Sequence, residues 1–257
     1  MVEIVWLNGR LLPAQAAMIP VADRGFTLGD GIFETLRLSG GVAPDAAAHF
    51  ARLAAGATLL RLGLPFDAGG MAEILAQTAA ANGIMEGGAR LTLTRGAGPR
   101  GLLPPAEPSP TVLATAFALP GPGQVKAVIC RSIARDETSP LSQVKTLNYL
   151  PHILARQEAE AAGAQEAILL NRAGRVACAS IGNLLVKSAG VWLTPPVAEA
   201  ALPGIRRARL LAEGAVAEAV ISVEMLRVAQ ALAVCNVLAL RPILSLDGAA
   251  LPAVETP

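Results

Sequence analysis

Ser142-Gln143-Val144-Lys145-Thr146-Leu147-Asn148-Tyr149 is the stretch on which the reading of this chain turns. The protein has only three lysines, Lys126, Lys145 and Lys187, and arginine supplies the rest of its 21 basic residues. Lys145 alone stands where a loop enters a helix, expected over residues 147–161 with Leu147, Leu150 and Leu154 on its buried face. Apolar and neutral neighbours can strip water from an ammonium, lower its pKa and free the amine to attack a carbonyl. A solvated lysine at a helix start has the same local sequence, so this context alone leaves both readings open.

Working outward, residues 2–13 read as strand, Asn8-Gly9 turn and strand. Asp23-Arg24-Gly25 and Gly29-Asp30-Gly31 read as turns before a strand at residues 32–38. Phe50, Leu53, Ala57 and Leu60 repeat at helical spacing within residues 44–62, and a second helix spans residues 71–82. Strands at residues 89–94 and 111–118 flank a long Gly/Pro loop. Pro120-Gly121-Pro122-Gly123 removes backbone donors and marks the clearest break. The expected organisation is a smaller domain over residues 1–119, a linker at 120–124 and a larger domain over residues 125–257. In the second part, strands at 125–129, 167–170, 175–178, 184–186, 191–194, 231–240 and 243–246 alternate with helices at 147–161 and 205–212. Interleaved strands, hairpins and helices define an α+β (mixed α/β) fold.

Composition removes several function classes. No run of 18 apolar residues escapes interruption, and residues 1–10 lack the pattern of a secretory leader. A cytoplasmic protein with no membrane partner is expected. Net charge is +1, with no basic arm, so nucleic acid is not an expected partner. Three scattered cysteines and two histidines give no metal constellation and no material for a Ser-His-Asp triad.

Three other features carry chemistry. Leu202-Pro203-Gly204-Ile205 opens a helix, and the free N–H groups of such a start suit a phosphate. Arg52, one turn after His49, could complete a phosphate cup. Arg100, in the loop Arg95-Gly96-Ala97-Gly98-Pro99-Arg100-Gly101, could clamp a carboxylate. Each also has an ordinary reading, as a turn, a surface arginine and a loop charge.

Taken in order, the stretches Asn8-Gly9, Asp23-Arg24-Gly25, Leu28-Gly29-Asp30-Gly31-Ile32-Phe33-Glu34, His49-x-x-Arg52-Leu53, Arg95-Gly96 through Arg100, Lys145-x-Leu147-Asn148, Asn171-x-x-Gly174-x-Val176, Asn183-Leu184, Pro203-Gly204-Ile205 and Pro242-Ile243 resemble the class IV aminotransferases. These are fold-type IV pyridoxal-phosphate enzymes, and they include D-amino-acid and branched-chain aminotransferases and aminodeoxychorismate lyase. The resemblance implies pyridoxal 5'-phosphate as cofactor, Schiff-base chemistry at Lys145, and a homodimer with active sites near the subunit contact. It places the cofactor phosphate with Arg52, the amides of Ile205 and Arg206 and the Cys235-Asn236 segment, and sets Asn183, Gly204 and Cys178 among the cofactor-binding residues. Arg206 stands where members more often carry threonine. Phe33 would lie beside the substrate and Arg100 would face its carboxylate.

One departure bears on mechanism. Counting from Gly174 and Val176, the position at which the family places a glutamate against the cofactor's pyridine nitrogen holds Cys178. A carboxylate there favours the protonated ring, the electron sink of the reaction, whereas a thiol offers only a weak hydrogen bond. Three functions are therefore expected. The first is an aminotransferase moving an amino group between an amino acid, D-type favoured, and a 2-oxo acid. The second is an aminodeoxychorismate lyase that releases pyruvate and leaves 4-aminobenzoate. The third is a cofactor-binding protein with weak or lost turnover.

Overall fold

The computed structural model describes residues 2–119, 121, 123–252 and 256–257. Pro120 and Pro122 of the expected linker lie outside these residues. The chain forms two compact units, residues 1–120 with 144–148, and residues 121–143 with 149–257.

In the first unit, β1 (Ile4–Leu7) and β2 (Arg10–Pro13) form the expected hairpin. Asp23-Arg24-Gly25, read as a turn, instead opens a short helix, α1 (Arg24–Leu28), whose first turn is capped by the Asp23 carboxylate accepting from the Gly25 N–H at 2.8 Å. After β3 (Gly31–Leu38) come α2 (Ala46–Leu60) and α3 (Ala68–Ala81), then β4 (Gly87–Thr94) and β5 (Thr111–Phe117). The antiparallel sheet has the order β2-β1-β5-β4-β3. Strand alternation sends Ile32, Leu36, Leu91 and Leu93 into the core, where Leu53, Ala57, Met71 and Leu75 of the two helices meet them.

In the second unit, β6 (Val125–Arg135) is followed by α4 (Leu150–Ala161), β7 (Glu166–Asn171), β8 (Val176–Ala179), β9 (Asn183–Ser188) and β10 (Val191–Thr194). Then come α5 (Ile205–Ala212), β11 (Ala217–Glu218), α6 (Val223–Arg227), β12 (Ala231–Cys235), β13 (Leu240–Leu246) and β14 (Ala249–Ala250). The mixed sheet runs β11-β10-β9-β12-β13-β6-β7-β8, with β14 beside β13. Two expectations change here. The strand expected at residues 231–240 ends at Cys235, because the Asn236 carboxamide oxygen accepts from the Leu238 and Ala239 N–H groups and turns the chain. The helix expected from residue 147 starts at Leu150, and it buries Ala155 and Ala159 while Leu150 and Leu154 are exposed. Its small residues let the helix lie close on β6 and β7, so leucine bulk points outward. Among the described residues no helix is long and apolar enough to cross a membrane.

Candidate active site

The first unit positions Lys145 through its backbone. Residues 144–148 run along the free edge of β3. Phe33 N–H donates to the Lys145 carbonyl at 2.9 Å, and Leu147 N–H donates to the Gly31 carbonyl at 3.0 Å. Lys145 is therefore held in extended chain, two residues beyond a short 3-10 turn (Pro140–Gln143), and not at a helix start. Its Nζ lies 4.2 Å from the centroid of the Phe33 ring. The Arg90 guanidinium carbon stands 3.6 Å from the same centroid, within reach of a cation–π contact. Arg90 reaches this place because it faces Thr35 across the ladder while Phe33 faces Thr92. The period of two then puts all four on one side of the sheet.

Glu34 faces the other side, towards α2. It is 1% exposed and is held by two residues one helical turn apart. Arg52 donates from Nε at 2.8 Å and from its terminal nitrogen at 2.6 Å, and His49 Nδ1 donates at 2.7 Å. Burial pushes the Glu34 pKa up, but the bonds and charges of Arg52 and His49 win and hold it below the usual carboxylate value. Burial lowers the Lys145 pKa, Glu34 opposes this, and Arg52 and Arg90 add to it; the result is about 8. An amine there exists in part as the free base near neutral pH, as a carbonyl-attacking lysine requires.

Arg100 lines a cavity of its own, about 400 Å³ in volume, with Val21, Arg24, Leu28 and Pro99. The loop that carries it is pinned by Arg24, which pairs with Asp30 at 2.8 Å and donates to the carbonyls of Gly101 and Leu102.

The second unit gathers another group. Asn183 and Cys235 are opposite each other on β9 and β12. Gly204, the residue before α5, packs so tightly against Asn183 that an added Cβ would fall 2.0 Å from its side-chain oxygen. The Asn183 amide in turn donates to the Leu202 carbonyl at 2.9 Å. No side chain caps α5, so its first N–H groups, those of Ile205, Arg206 and Arg207, point out of an uncapped helix start. A Cβ-free approach at an uncapped start is what a phosphate needs, and the residues fit one. Thus Asn183, Gly204, Ile205, Arg206 and Cys235 come together. The Asn236 carboxamide is committed to its turn and to the Ile181 carbonyl.

Cys178 lies on β8, 4% exposed. Burial raises its thiol pKa, Arg135 opposes and Glu166 adds, to about 11, so the thiol is neutral at pH 7. Glu166 itself is fully buried. It accepts from the Ser180 hydroxyl and N–H and from the Ala167 N–H, and burial raises its pKa.

Sequence reasoning assigned no role to Arg90, Glu34 or His49. The alternation Arg90-Leu91-Thr92-Leu93-Thr94 marks a polar strand face on which Arg90 could have been found. Glu34, a lone carboxylate in an otherwise apolar strand, and His49 and Arg52, one helical turn apart, carried a similar signal.

A half-buried lysine that shares the Phe33 ring with Arg90, and an uncapped helix start with a close glycine before it, suit an enzyme that uses an activated amine. Residues 31–246 match the amino-transferase class IV family, and the chain belongs to it. It is 32% identical over 208 residues to D-alanine aminotransferase of Bacillus licheniformis, an alignment covering 80% of this chain and 73% of that protein. The structure of 4-amino-4-deoxychorismate lyase from Pseudomonas aeruginosa superposes with a TM-score of 0.84 at 33% identity, over 98% of this chain and 94% of the other. A branched-chain aminotransferase from Thermoproteus uzoniensis, solved with norvaline, gives a TM-score of 0.90 at 28% identity, covering 99% and 91%. The protein is a pyridoxal-phosphate-dependent enzyme of the transaminase and related lyase group.

Proposed function

We propose that the protein moves an amino group between an amino acid, D-type favoured, and a 2-oxo acid. The observation that carries this reading is Lys145, desolvated beside Arg90 and Arg52 with its pKa brought to about 8. When bound, pyridoxal phosphate supplies the carbonyl that captures the amine and the ring that accepts electron density. Lys145 would attach the cofactor, then as a free amine take a proton from the substrate carbon and return it. Arg90 is a cation for a substrate carboxylate at the Phe33 ring, and Arg100 is the cation expected for that task from the loop. Of the remaining site residues, Arg52, Asn183, Gly204, Ile205, Arg206 and the Cys235-Asn236 segment would serve the phosphate, and Cys178 the pyridine nitrogen. The homodimer expected of such enzymes finds support in Met18, Val21, Phe26, Leu102 and Leu103, apolar side chains 79–85% exposed.

The lyase reading is favoured by one feature, the neutral Cys178 thiol. An elimination that releases pyruvate asks less of a protonated ring than amino transfer does. The deciding experiment is the absorption spectrum of the purified protein before and after D-alanine. Bleaching of the yellow cofactor with release of pyruvate supports the aminotransferase. An unbleached yellow protein that converts aminodeoxychorismate to 4-aminobenzoate replaces it with the lyase.

A further inference from the structure

Arg24, at the start of α1, is 4% exposed, and the reaction proposed above gives it no task. A guanidinium is buried at a cost unless its charge and its N–H groups are met. Asp30 meets the charge, accepting from Nε at 2.8 Å, and Arg95 fixes Asp30 in turn by donating to both of its oxygens at 2.8 and 3.1 Å. The two terminal nitrogens of Arg24 go elsewhere. They reach the carbonyls of three consecutive residues, Gly101 at 3.0 Å, Leu102 at 2.8 Å and Leu103 at 3.4 Å. Among the described residues no other hydrogen bond holds the backbone of residues 99–105. Pro99, Pro104 and Pro105 have no N–H with which to make one. The loop is also fixed on the other side of Arg100. Gly98 N–H donates to the Ala22 carbonyl at 3.1 Å, and an added Cβ at Gly98 would stand 2.9 Å from Arg24 Cδ. The stem of Arg24 therefore lies against Gly98 and its head against residues 101–103, with Arg100 between these anchors. Arg24 and Arg100 also share the walls of the cavity beside α1. A solvated loop charge needs no such frame. An arginine that must meet a ligand in one place does, because a long side chain on a loose loop gives up freedom when it binds.

We infer that Arg24 is a positioning residue: its forked contact with the carbonyls of residues 101–103 fixes the loop so that Arg100 is presented to the substrate carboxylate. This rests on the reading of Arg100 as the cation for that carboxylate. Lysine would keep the charge beside Asp30, but its single nitrogen cannot serve Asp30 and a row of carbonyls together, so the fork and the charge can be separated by experiment.

The test compares the full-length holoenzyme with Arg24→Lys, Arg100→Gln and the double variant. Trypsin cuts after arginine, so mass spectrometry of brief digests reads how freely the bond between Arg100 and Gly101 is reached. Arg24→Lys is expected to be cut there about tenfold faster, as a loop released from its anchor. Half-transamination with D-alanine, followed by loss of cofactor absorbance, gives the half-saturating concentration and the maximal rate separately. Arg24→Lys should raise the first about tenfold and lower the second less than about twofold. In the Arg100→Gln background it should add nothing, because the two residues act as one unit. If Arg24→Lys does not fold, Gly101→Ala takes its place. Gly101 has φ 121° and open space around its Cα, so alanine there turns the loop carbonyls away while Arg24 and Asp30 stay paired. The same rise in half-saturation is expected of it. An unchanged half-saturating concentration overturns the inference even where cleavage is faster, since Arg24 is then an anchor of the loop alone. A rise of equal size with and without Arg100 overturns it too. Arg100→Gln that handles D-alanine as the wild type does overturns the reading of Arg100 instead, and a wild type that D-alanine does not bleach overturns amino transfer itself.

Discussion

The surroundings of Lys145 and the start of α5 are both cationic, but they treat charge in opposite ways. In the first unit Arg52 is answered by Glu34, Glu34 by His49 as well, and Arg90 rests on an aromatic ring. In the second unit Arg206 makes no ion pair among the described residues, and the Cys178 thiol is neutral. The first region is organised before any ligand arrives. The second leaves the first N–H groups of α5 without a side-chain cap. Chemistry that depends on a tuned pKa needs a fixed field, whereas binding gains from leaving a charge unsatisfied until the ligand arrives.

The contrast can be broken most directly at Lys145. Lys145→Ala should lower turnover at least ~10³-fold, since the activated amine is lost. It should still bind pyridoxamine 5'-phosphate. Loss of both properties in steady-state and calorimetric assays would show that the two regions are not separable. Next in size is Glu34→Gln, which leaves Arg52 buried without its counter-charge. A loss of about 3 kcal/mol in urea unfolding is expected, and a loss below about 1 kcal/mol would show that the charges here are not balanced by one another.

A third prediction concerns pH. The folded pKa of Lys145, about 8, lies below its unfolded value of 10.5. Between the two the unfolded chain holds the extra proton, so stability rises with pH there. The penalty is full below pH 8 and gone above pH 10.5. Lys145→Met should therefore make the cofactor-free protein more stable at pH 7, by roughly 2 kcal/mol, with the advantage shrinking through that window. A constant difference from pH 7 to pH 11 would mean that packing, not charge, is responsible. The smallest expected effect is at Cys178. Cys178→Glu should speed half-transamination with D-alanine about tenfold, read by stopped-flow absorbance, and an unchanged or slower rate would show that the ring needs no carboxylate here.

Most of the scaffold was legible because periodicity reports burial directly. Phe50, Leu53 and Ala57 marked α2, and Asn8-Gly9 marked the first hairpin. The start of α4 was not, because Leu147 follows helical spacing while its backbone N–H is spent on Gly31 of β3, a partner more than a hundred residues away. Nor was the buried face of α4, where alanines, which carry little hydropathy signal, win the close contact. Within the candidate site, Lys145 could be singled out by scarcity and Gly204 by its place before a helix. Arg90 and Glu34 draw their meaning from cross-strand and helix-to-strand neighbours, which only folding brings together.

The way residues 144–148 attach to β3 has a consequence for cutting the chain. Their backbone closes a sheet margin that would otherwise offer a row of unsatisfied amides and carbonyls, a template for adding strands from other molecules. A fragment ending at residue 119 would keep every helix and strand of the first sheet yet leave that margin open. It should self-associate, and a synthetic peptide spanning residues 140–150 should suppress the association. The segment that delivers the reactive amine is thus also a guard against aggregation, supplied from a part of the gene translated after the sheet it protects.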